Sequence, residues 1–145
     1  MIEFIYLFLF RALSGGQNGF GYAEKKIFRI ITSFLMIAVL AGTFFLILQR
    51  MEEGHWKILT IIAMLVSICG AIGVEDSFNP SYKFFKTDVH FWEILATSGI
   101  TIAWMFMDGN LIAIAASVYP GLILHKGFIN LGSGKGWWYH GTDDA

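Results

Sequence analysis

Residue types that bind metal ions occur at both ends of a long apolar stretch in the second half of the chain. His90 and Glu93 stand three residues apart, a spacing that places both side chains on one face of a helix. His125 lies at the far end of the stretch, and His140 lies in the tail that follows. Imidazole nitrogens and carboxylate oxygens are common zinc ligands. We therefore predict a candidate metal site at these four residues, with polar residues that mark a membrane boundary as the alternative interpretation.

Small residues recur at a spacing of four in each of the long apolar segments of the sequence. The set comprises Ala38, Gly42, Ala63, Ser67, Ala71, Gly99, Ala103, Ala113, Ser117 and Gly121. Such spacing gathers them on one face of each helix, where two backbones can approach closely and gain packing that lipid does not supply. The pattern predicts association of helices, either within the chain or between subunits.

The apolar stretch from Phe91 to Lys126 is interrupted at its midpoint by Asp108, Gly109 and Asn110. A single helix over that range would be too long for a bilayer and would bury a carboxylate at depth, at about 3 kcal/mol or more. The sequence therefore predicts a tight helical hairpin whose turn residues cap the following helix. Pro120 removes one hydrogen bond inside the last helix and predicts a kink there.

Composition places these segments in a bilayer. Of 145 residues, 56% are hydrophobic and 14% charged, and so small a soluble fold could not hide that much apolar surface from water. The net charge of −1, without any basic run, excludes a nucleic-acid partner. The lipid bilayer is the predicted surrounding of the chain.

The predicted fold is an all-α integral membrane protein with four transmembrane helices in two helical hairpins. The helices are expected at residues 27–49, 56–74, 91–107 and 110–125. The first two are long enough to cross a hydrocarbon core, whereas the last two are near the lower limit, so that they stand upright, thin the bilayer locally or partly re-enter. Residues 1–26 are expected to form a short interfacial or partly inserted helix, within residues 1–13, and a flexible glycine-rich linker. Residues 127–145 form a polar and aromatic tail.

The distribution of Lys and Arg predicts the orientation of this multi-pass chain. Eight of the ten fall on one side of the four predicted spans, in the linker, in the 75–90 loop and in the tail. The excess of positive charge places that side, and with it the C-terminus, in the cytoplasm. Five aromatic residues are expected to anchor the helices at the headgroup level: Trp56, Trp92, Trp137, Trp138 and Tyr139. The last three equally fit a patch that docks a partner protein.

Three functions fit these features. The first is a noncatalytic membrane protein that acts through helix association, as an accessory subunit of a membrane complex or as a homo-oligomer. The second is a holin-like or channel-like oligomer that permeabilises the membrane, in which a ring of Asp108 carboxylates would select cations. The third is a metal-dependent membrane enzyme subunit that uses the His and Glu residues named above. The first two long apolar segments carry no ionisable group at depth, which favours the first function.

Overall fold

The regular elements of the structure are all helices across the part of the chain that it describes, which confirms the all-α prediction. The structure is a computed structural model and describes residues 2–78, 89–108 and 111–139. The helices are α1 (Ile2–Tyr22), α2 (Lys26–Arg50), α3 (His55–Ser77), α4 (Val89–Asp108), α5 (Leu111–Val118) and α6 (Pro120–Gly132).

Helices α2 and α3 are the two, among the described residues, that are long and apolar enough to cross a membrane. Only 28% of the most apolar part of α2 and 44% of that of α3 is buried within the protein. Phe34 and Ile27 are each 72% exposed, so large apolar side chains cover the outward face of α2. The segments predicted at 91–107 and 110–125 do not meet the same test, and four spans are therefore not supported by length and hydropathy alone.

Helix α1 differs from the expected arrangement of an interfacial helix followed by a flexible linker. The helix continues without a break through the glycine-rich sequence and ends at Tyr22. Each glycine in a helix interior costs about 1 kcal/mol relative to alanine. Gly15 and Gly19 lie directly against α6, and this tertiary packing offsets their low helix propensity.

The helix α1 runs antiparallel to α2, because a short turn at residues 23–25 joins them. Gly16 faces Thr32 near this turn, and Tyr6 lies against Gly42 at the other end of the pair. Helix α1 also contacts α4, α5 and α6. It is therefore the central helix of the bundle, and its Phe10 is fully buried in the core.

Helices α3 and α4 form the second closely packed pair. A Cβ atom added to Gly99 would meet the backbone of Ala63 and Ser67, and one added to Gly70 would meet the backbone of Ala96. The two helices run antiparallel, since Trp56 at the start of α3 contacts Phe106 near the end of α4. The core between the pairs is formed by buried apolar side chains that include Leu40, Met64, Ile100 and Trp104.

The last helical segment is interrupted at Tyr119, directly before Pro120. Pro120 has no amide hydrogen, so the regular hydrogen-bond pattern stops, and the amides of Leu122 and Ile123 bond to the Tyr119 carbonyl instead. This is the interruption that Pro120 predicts. Helix α6 then continues beyond His125 to Gly132, so the start of the expected tail is helical.

Candidate functional site

Polar side chains of α1 are directed into the bundle. Arg11, Ser14, Gln17 and Asn18 are all buried, and the last two are fully inaccessible. Their spacing of three and four residues places Arg11, Ser14 and Asn18 on one side of the helix. Buried polar groups need hydrogen-bond partners, because an unpaired group carries the full penalty of leaving water. The partners are supplied by three other helices.

The glycines of α1 bring it backbone to backbone with α6. A Cβ atom at Gly15 would collide with the carbonyl oxygen of His125, and one at Gly19 with that of Ile129. Gly132 of α6 faces Gly19 in turn. Two helices approach so closely only where small residues occupy the interface. This contact places the side chains of Asn18 and His125 beside the same residue of α4.

That residue is Glu93, and its carboxylate joins three helices. Its Oε2 accepts a hydrogen bond from Asn18 Nδ2 at 2.9 Å, and its Oε1 contacts His125 Nε2. His90, one turn earlier on α4, places its Nδ1 3.6 Å from Oε2. The Glu93 side chain is 12% exposed and that of His90 is 67% exposed. The carboxylate is therefore buried between α1, α4 and α6, with one histidine on its solvent side.

Arg11 lies deeper in the bundle on the same side. Its Nη1 donates to Thr97 Oγ1 at 3.0 Å, one turn beyond Glu93 on α4. The guanidinium is attracted by the charge of Glu93, while its Nε is buried without a hydrogen-bond partner. A buried cation near a buried carboxylate is the usual way for a protein interior to hold both charges. We call Arg11, Asn18, Glu93 and His125 the Glu93 centre.

A second centre surrounds Glu75 at the end of α3. Arg29 Nε lies 3.0 Å from Glu75 Oε1, and its Nη1 donates to the Phe78 carbonyl at 3.1 Å. On Oε2, Glu75 accepts hydrogen bonds from Ser33 Oγ at 2.8 Å and from Gln17 Nε2 at 3.4 Å. We call Gln17, Arg29, Ser33 and Glu75 the Glu75 centre. It joins α1, α2 and α3.

The two centres have the same plan. Each combines one carboxylate, one arginine and one amide side chain, and the amides come from the adjacent residues Gln17 and Asn18. In both amides the nitrogen donates to a carboxylate, while the oxygen is buried and has no hydrogen-bond partner. His125 Nδ1 is also buried without a partner. Unpaired buried groups of this kind cost about 1–3 kcal/mol each, so the two centres carry a penalty that the surrounding packing must offset.

The predicted metal ligands are partly brought together. His90 lies near Oε2 of Glu93, and His125 contacts Oε1. His140 lies outside the described residues. Over residues 2–78, 89–108 and 111–139 no group of three or more His, Cys, Asp or Glu has the geometry to hold a metal ion. The observed arrangement is a carboxylate in contact with Asn18 and two histidines, and the metal site stays a prediction.

The small residues predicted to associate are mostly used within the chain. Gly42 faces Tyr6, Gly99 faces α3, and the Ser67 hydroxyl donates to the Ala96 carbonyl at 2.7 Å. Others of the set are buried: Ala71, Ala103, Ser117 and Gly121. Ala38 is exposed. The side chain of Ala113 is outside the description.

The predicted hairpin turn lies at the edge of the described residues. Helix α4 ends at Asp108 and α5 begins at Leu111, which agrees with a break in the long apolar stretch. Gly109 and Asn110 lie outside the described residues, as does the side chain of Asp108. The capping role therefore stays a prediction.

The aromatic residues predicted as interface anchors divide into two groups. Trp56 and Trp138 are exposed, by 55% and 71%. Trp92 packs on Gly73 of α3, and Trp137 packs on Gly127 of α6. The ring of Tyr139 receives the Lys135 ammonium at 4.6 Å. The half-buried indoles fix local packing, and an anchoring role stays a prediction for all five.

Sequence reasoning missed six of the eight residues of the two centres: Arg11, Gln17, Asn18, Arg29, Ser33 and Glu75. Arg29 is 7% exposed and paired with Glu75, although its place near the end of an apolar segment would equally fit a side chain that extends toward the headgroups. One signal was present in the sequence. Gly15 and Gly19 form a small-xxx-small pair that flanks Gln17 and Asn18, which indicates a helix interface with polar side chains beside it.

Comparison of the chain with protein-family models, with curated proteins and with solved structures found no match.

Proposed function

We propose that this chain is a multi-pass integral membrane protein that acts through helix association, as a noncatalytic subunit of a larger membrane assembly or of a homo-oligomer. Membrane placement is supported by α2 and α3, whose outward faces are covered by large apolar side chains. Soluble proteins rarely leave such contiguous apolar surface in water. In a bilayer the same surface faces lipid, so no other protein surface is needed to shield it from water.

The proposed topology includes more than α2 and α3. Helix α1 lies along α2 from the shared turn to Tyr6, and at 21 residues it is about 31 Å long. Because α1 lies along the length of α2, it crosses the bilayer together with α2. Helix α4 lies antiparallel along α3, and α5 with α6 continues along α1, so we propose five crossing segments, the four predicted from sequence plus α1. The end rich in Lys and Arg, with the C-terminus, lies in the cytoplasm.

The observation that carries the association is an apolar groove between α1 and α2. Its volume is about 600 Å³, and Ala38 lies in it beside Leu35 and Val39. Facing residues of α1 complete its walls: Ile2, Ile5, Tyr6, Leu9 and Leu13. Of the small residues predicted to associate, Ala38 is the one that the description shows exposed. A helix of another subunit that packs on Ala38 would approach α2 closely.

Cross-linking in native membranes tests the proposal. The wild-type chain is expected to stay in the membrane when the membranes are extracted with alkaline carbonate. It is also expected to cross-link to a second membrane protein or to another copy of itself. In the Ala38→Leu variant, the larger side chain weakens the free energy of association by about 1–3 kcal/mol. The yield of cross-linked product is then expected to fall roughly 5- to 150-fold.

Ala115→Leu is the matched control, because Ala115 is an exposed alanine of α5 that does not line the groove. It is expected to cross-link as the wild type does. A chain that is released by carbonate contradicts the membrane placement, and a carbonate-resistant chain that yields only monomer contradicts the association.

A further inference from the structure

A second groove, between α6 and the segment that follows it, combines apolar walls with one cationic side chain. Its volume is about 210 Å³. Leu122 and Ile123 line it and are both exposed, so the groove opens on the outward face of α6. Lys126 lies about one turn further along the same face of the helix. The lining is completed by Gly127, Trp137 and Trp138.

The segment after α6 is folded back against that helix by specific contacts. Asn130 is buried and donates from its Nδ2 to the Trp137 carbonyl at 2.9 Å and to the Tyr139 carbonyl at 3.2 Å. The Trp137 ring occupies the space that a side chain at Gly127 would fill. It also packs edge-to-face on the ring of Phe128, with the two centroids 5.2 Å apart. These contacts hold the outer wall of the groove in place, so the groove is formed before a ligand binds.

The ammonium of Lys126 is available to a ligand. It is exposed and has no ion pair or hydrogen bond within residues 2–78, 89–108 and 111–139. The described lining of the groove contains no Asp or Glu. Trp138, which is exposed, adds an indole N–H to this lining, and an indole nitrogen can only donate. An ammonium and an N–H donor without an acceptor favour an anionic group.

The apolar and cationic parts of the groove are arranged in the order of a lipid molecule. In the proposed topology Lys126 follows directly on the last crossing segment, at a depth where a lysine side chain reaches the headgroups. Trp side chains such as that of Trp138 are typical of the same depth. Leu122 and Ile123 lie about one turn closer to the middle of the bilayer, at the depth of the acyl chains.

We propose that this groove binds an anionic phospholipid of the cytoplasmic leaflet, with its phosphate on Lys126 and an acyl chain against Leu122 and Ile123. The proposal rests on the membrane placement made above. A zwitterionic phospholipid carries the same phosphate, but the positive charge of its own head group offsets the attraction to Lys126. The groove is therefore expected to select lipids by their net charge.

Native mass spectrometry of the detergent-purified chain tests the site. Phosphatidylglycerol and phosphatidylcholine with identical acyl chains are added at equal concentration. The anionic lipid is expected to be retained about fivefold more, the ratio that one lysine near an anionic lipid surface provides. Glycerol phosphate in large excess is expected to leave the bound lipid in place, because it lacks the acyl chain. Equal retention of the two lipids, or displacement by glycerol phosphate, overturns the proposal.

Two variants locate the binding, each with a matched control. Lys126→Gln is expected to lower retention of phosphatidylglycerol to that of phosphatidylcholine, whereas Lys26→Gln, at an exposed lysine outside the groove, leaves the preference unchanged. Ile123→Trp fills the groove and is expected to lower retention of the anionic lipid likewise. Leu131→Trp, at an exposed leucine of α6 outside the lining, is its control. If a variant and its control behave alike, the assignment to this groove is wrong.

Two further comparisons separate this proposal from its alternatives. If Lys126→Gln lowers the yield of cross-linking in native membranes but not the retention of phosphatidylglycerol, the groove docks a protein and the lipid site is refuted. A chain that resists alkaline carbonate but shows no preference between the lipids refutes the lipid site alone. A chain that carbonate releases refutes the membrane placement as well.

Discussion

Asn18 of α1 and Glu93 of α4 are 75 positions apart in the chain, and their side chains meet with Nδ2 2.9 Å from Oε2. The other oxygen of Glu93 contacts His125 of α6. One carboxylate therefore connects three helices, α1, α4 and α6, that lie far apart in the sequence. The connection is polar, although the surrounding core is formed by apolar residues such as Phe10 and Trp104.

Removal of the Glu93 carboxylate is expected to destabilise the bundle. In Glu93→Ala, the buried Arg11 loses the carboxylate that attracts it, and Asn18 and His125 lose their contacts with its oxygens, so the free energy of unfolding falls by about 3–5 kcal/mol. Titration with SDS of the protein in detergent micelles, followed by circular dichroism, measures the loss. Glu52→Ala removes an exposed carboxylate and serves as the control. Equal stability of the two variants would show that Glu93 holds nothing together.

Adjacent glycines of α1 are expected to respond oppositely to alanine. Gly15→Ala places a Cβ atom against the His125 carbonyl and forces α1 and α6 apart, at about 1–3 kcal/mol. In Gly16→Ala the Cβ atom meets the Thr32 methyl group at 3.4 Å and the Phe20 ring at 3.9 Å, and the higher helix propensity of alanine contributes up to about 1 kcal/mol. Thermal unfolding of both variants gives the comparison. A Gly15→Ala protein as stable as Gly16→Ala contradicts the close approach of the two backbones.

Arg29 and Glu75 are expected to be energetically coupled. A double-mutant cycle with Arg29→Gln and Glu75→Gln should give an interaction energy of about 1–3 kcal/mol, because the pair is largely buried and shares hydrogen bonds. The pair Lys57–Glu53, whose glutamate is 91% exposed although its lysine is buried, should give about 0.3–0.5 kcal/mol in a matching cycle. If the two cycles give the same value, the Glu75 centre has no special stability.

Maleimide labelling of the single cysteine tests the membrane placement. Cys69 is exposed on α3 and lies within the segment that we place in lipid. Maleimides react with the thiolate, which does not form in hydrocarbon, so the wild type in membranes is expected to resist labelling until SDS is added. Glu24→Cys in a Cys69→Ala background places a thiol in the exposed turn after α1 and should be labelled readily. Rapid labelling of Cys69 in intact membranes contradicts the topology.

Hydropathy alone was sufficient to predict α2 and α3, because each is a long apolar run with charges only near its ends. The proximity of His90, Glu93 and His125 also followed from the predicted hairpin, which returns the chain to the side it left. Helix α1 could not be predicted in the same way. Its glycines indicate a turn by local propensity, and only their contact with α6, more than a hundred residues later, makes them helical.

The pairing of charges was beyond prediction for a similar reason. Arg29 and Glu75 each lie near the end of an apolar segment, where exposure to headgroups explains them equally well. Their contact depends on how α2 and α3 are rotated about their axes, which a single sequence does not specify. The amides of Gln17 and Asn18 lay in a segment interpreted as a linker, so the amide partners of both carboxylates were missing from the prediction.

The central position of α1 determines when the bundle can be completed during synthesis. Helix α1 leaves the ribosome before α4 and α6, yet the partners of its Arg11 and Asn18 are Thr97 and Glu93, and the surface for its glycines is at His125 and Ile129. Until those residues have been translated, its polar side chains need other hosts: water, the headgroup region or the insertion machinery. Helix α1 thus reaches its final surroundings only after α4 and α6 have been made.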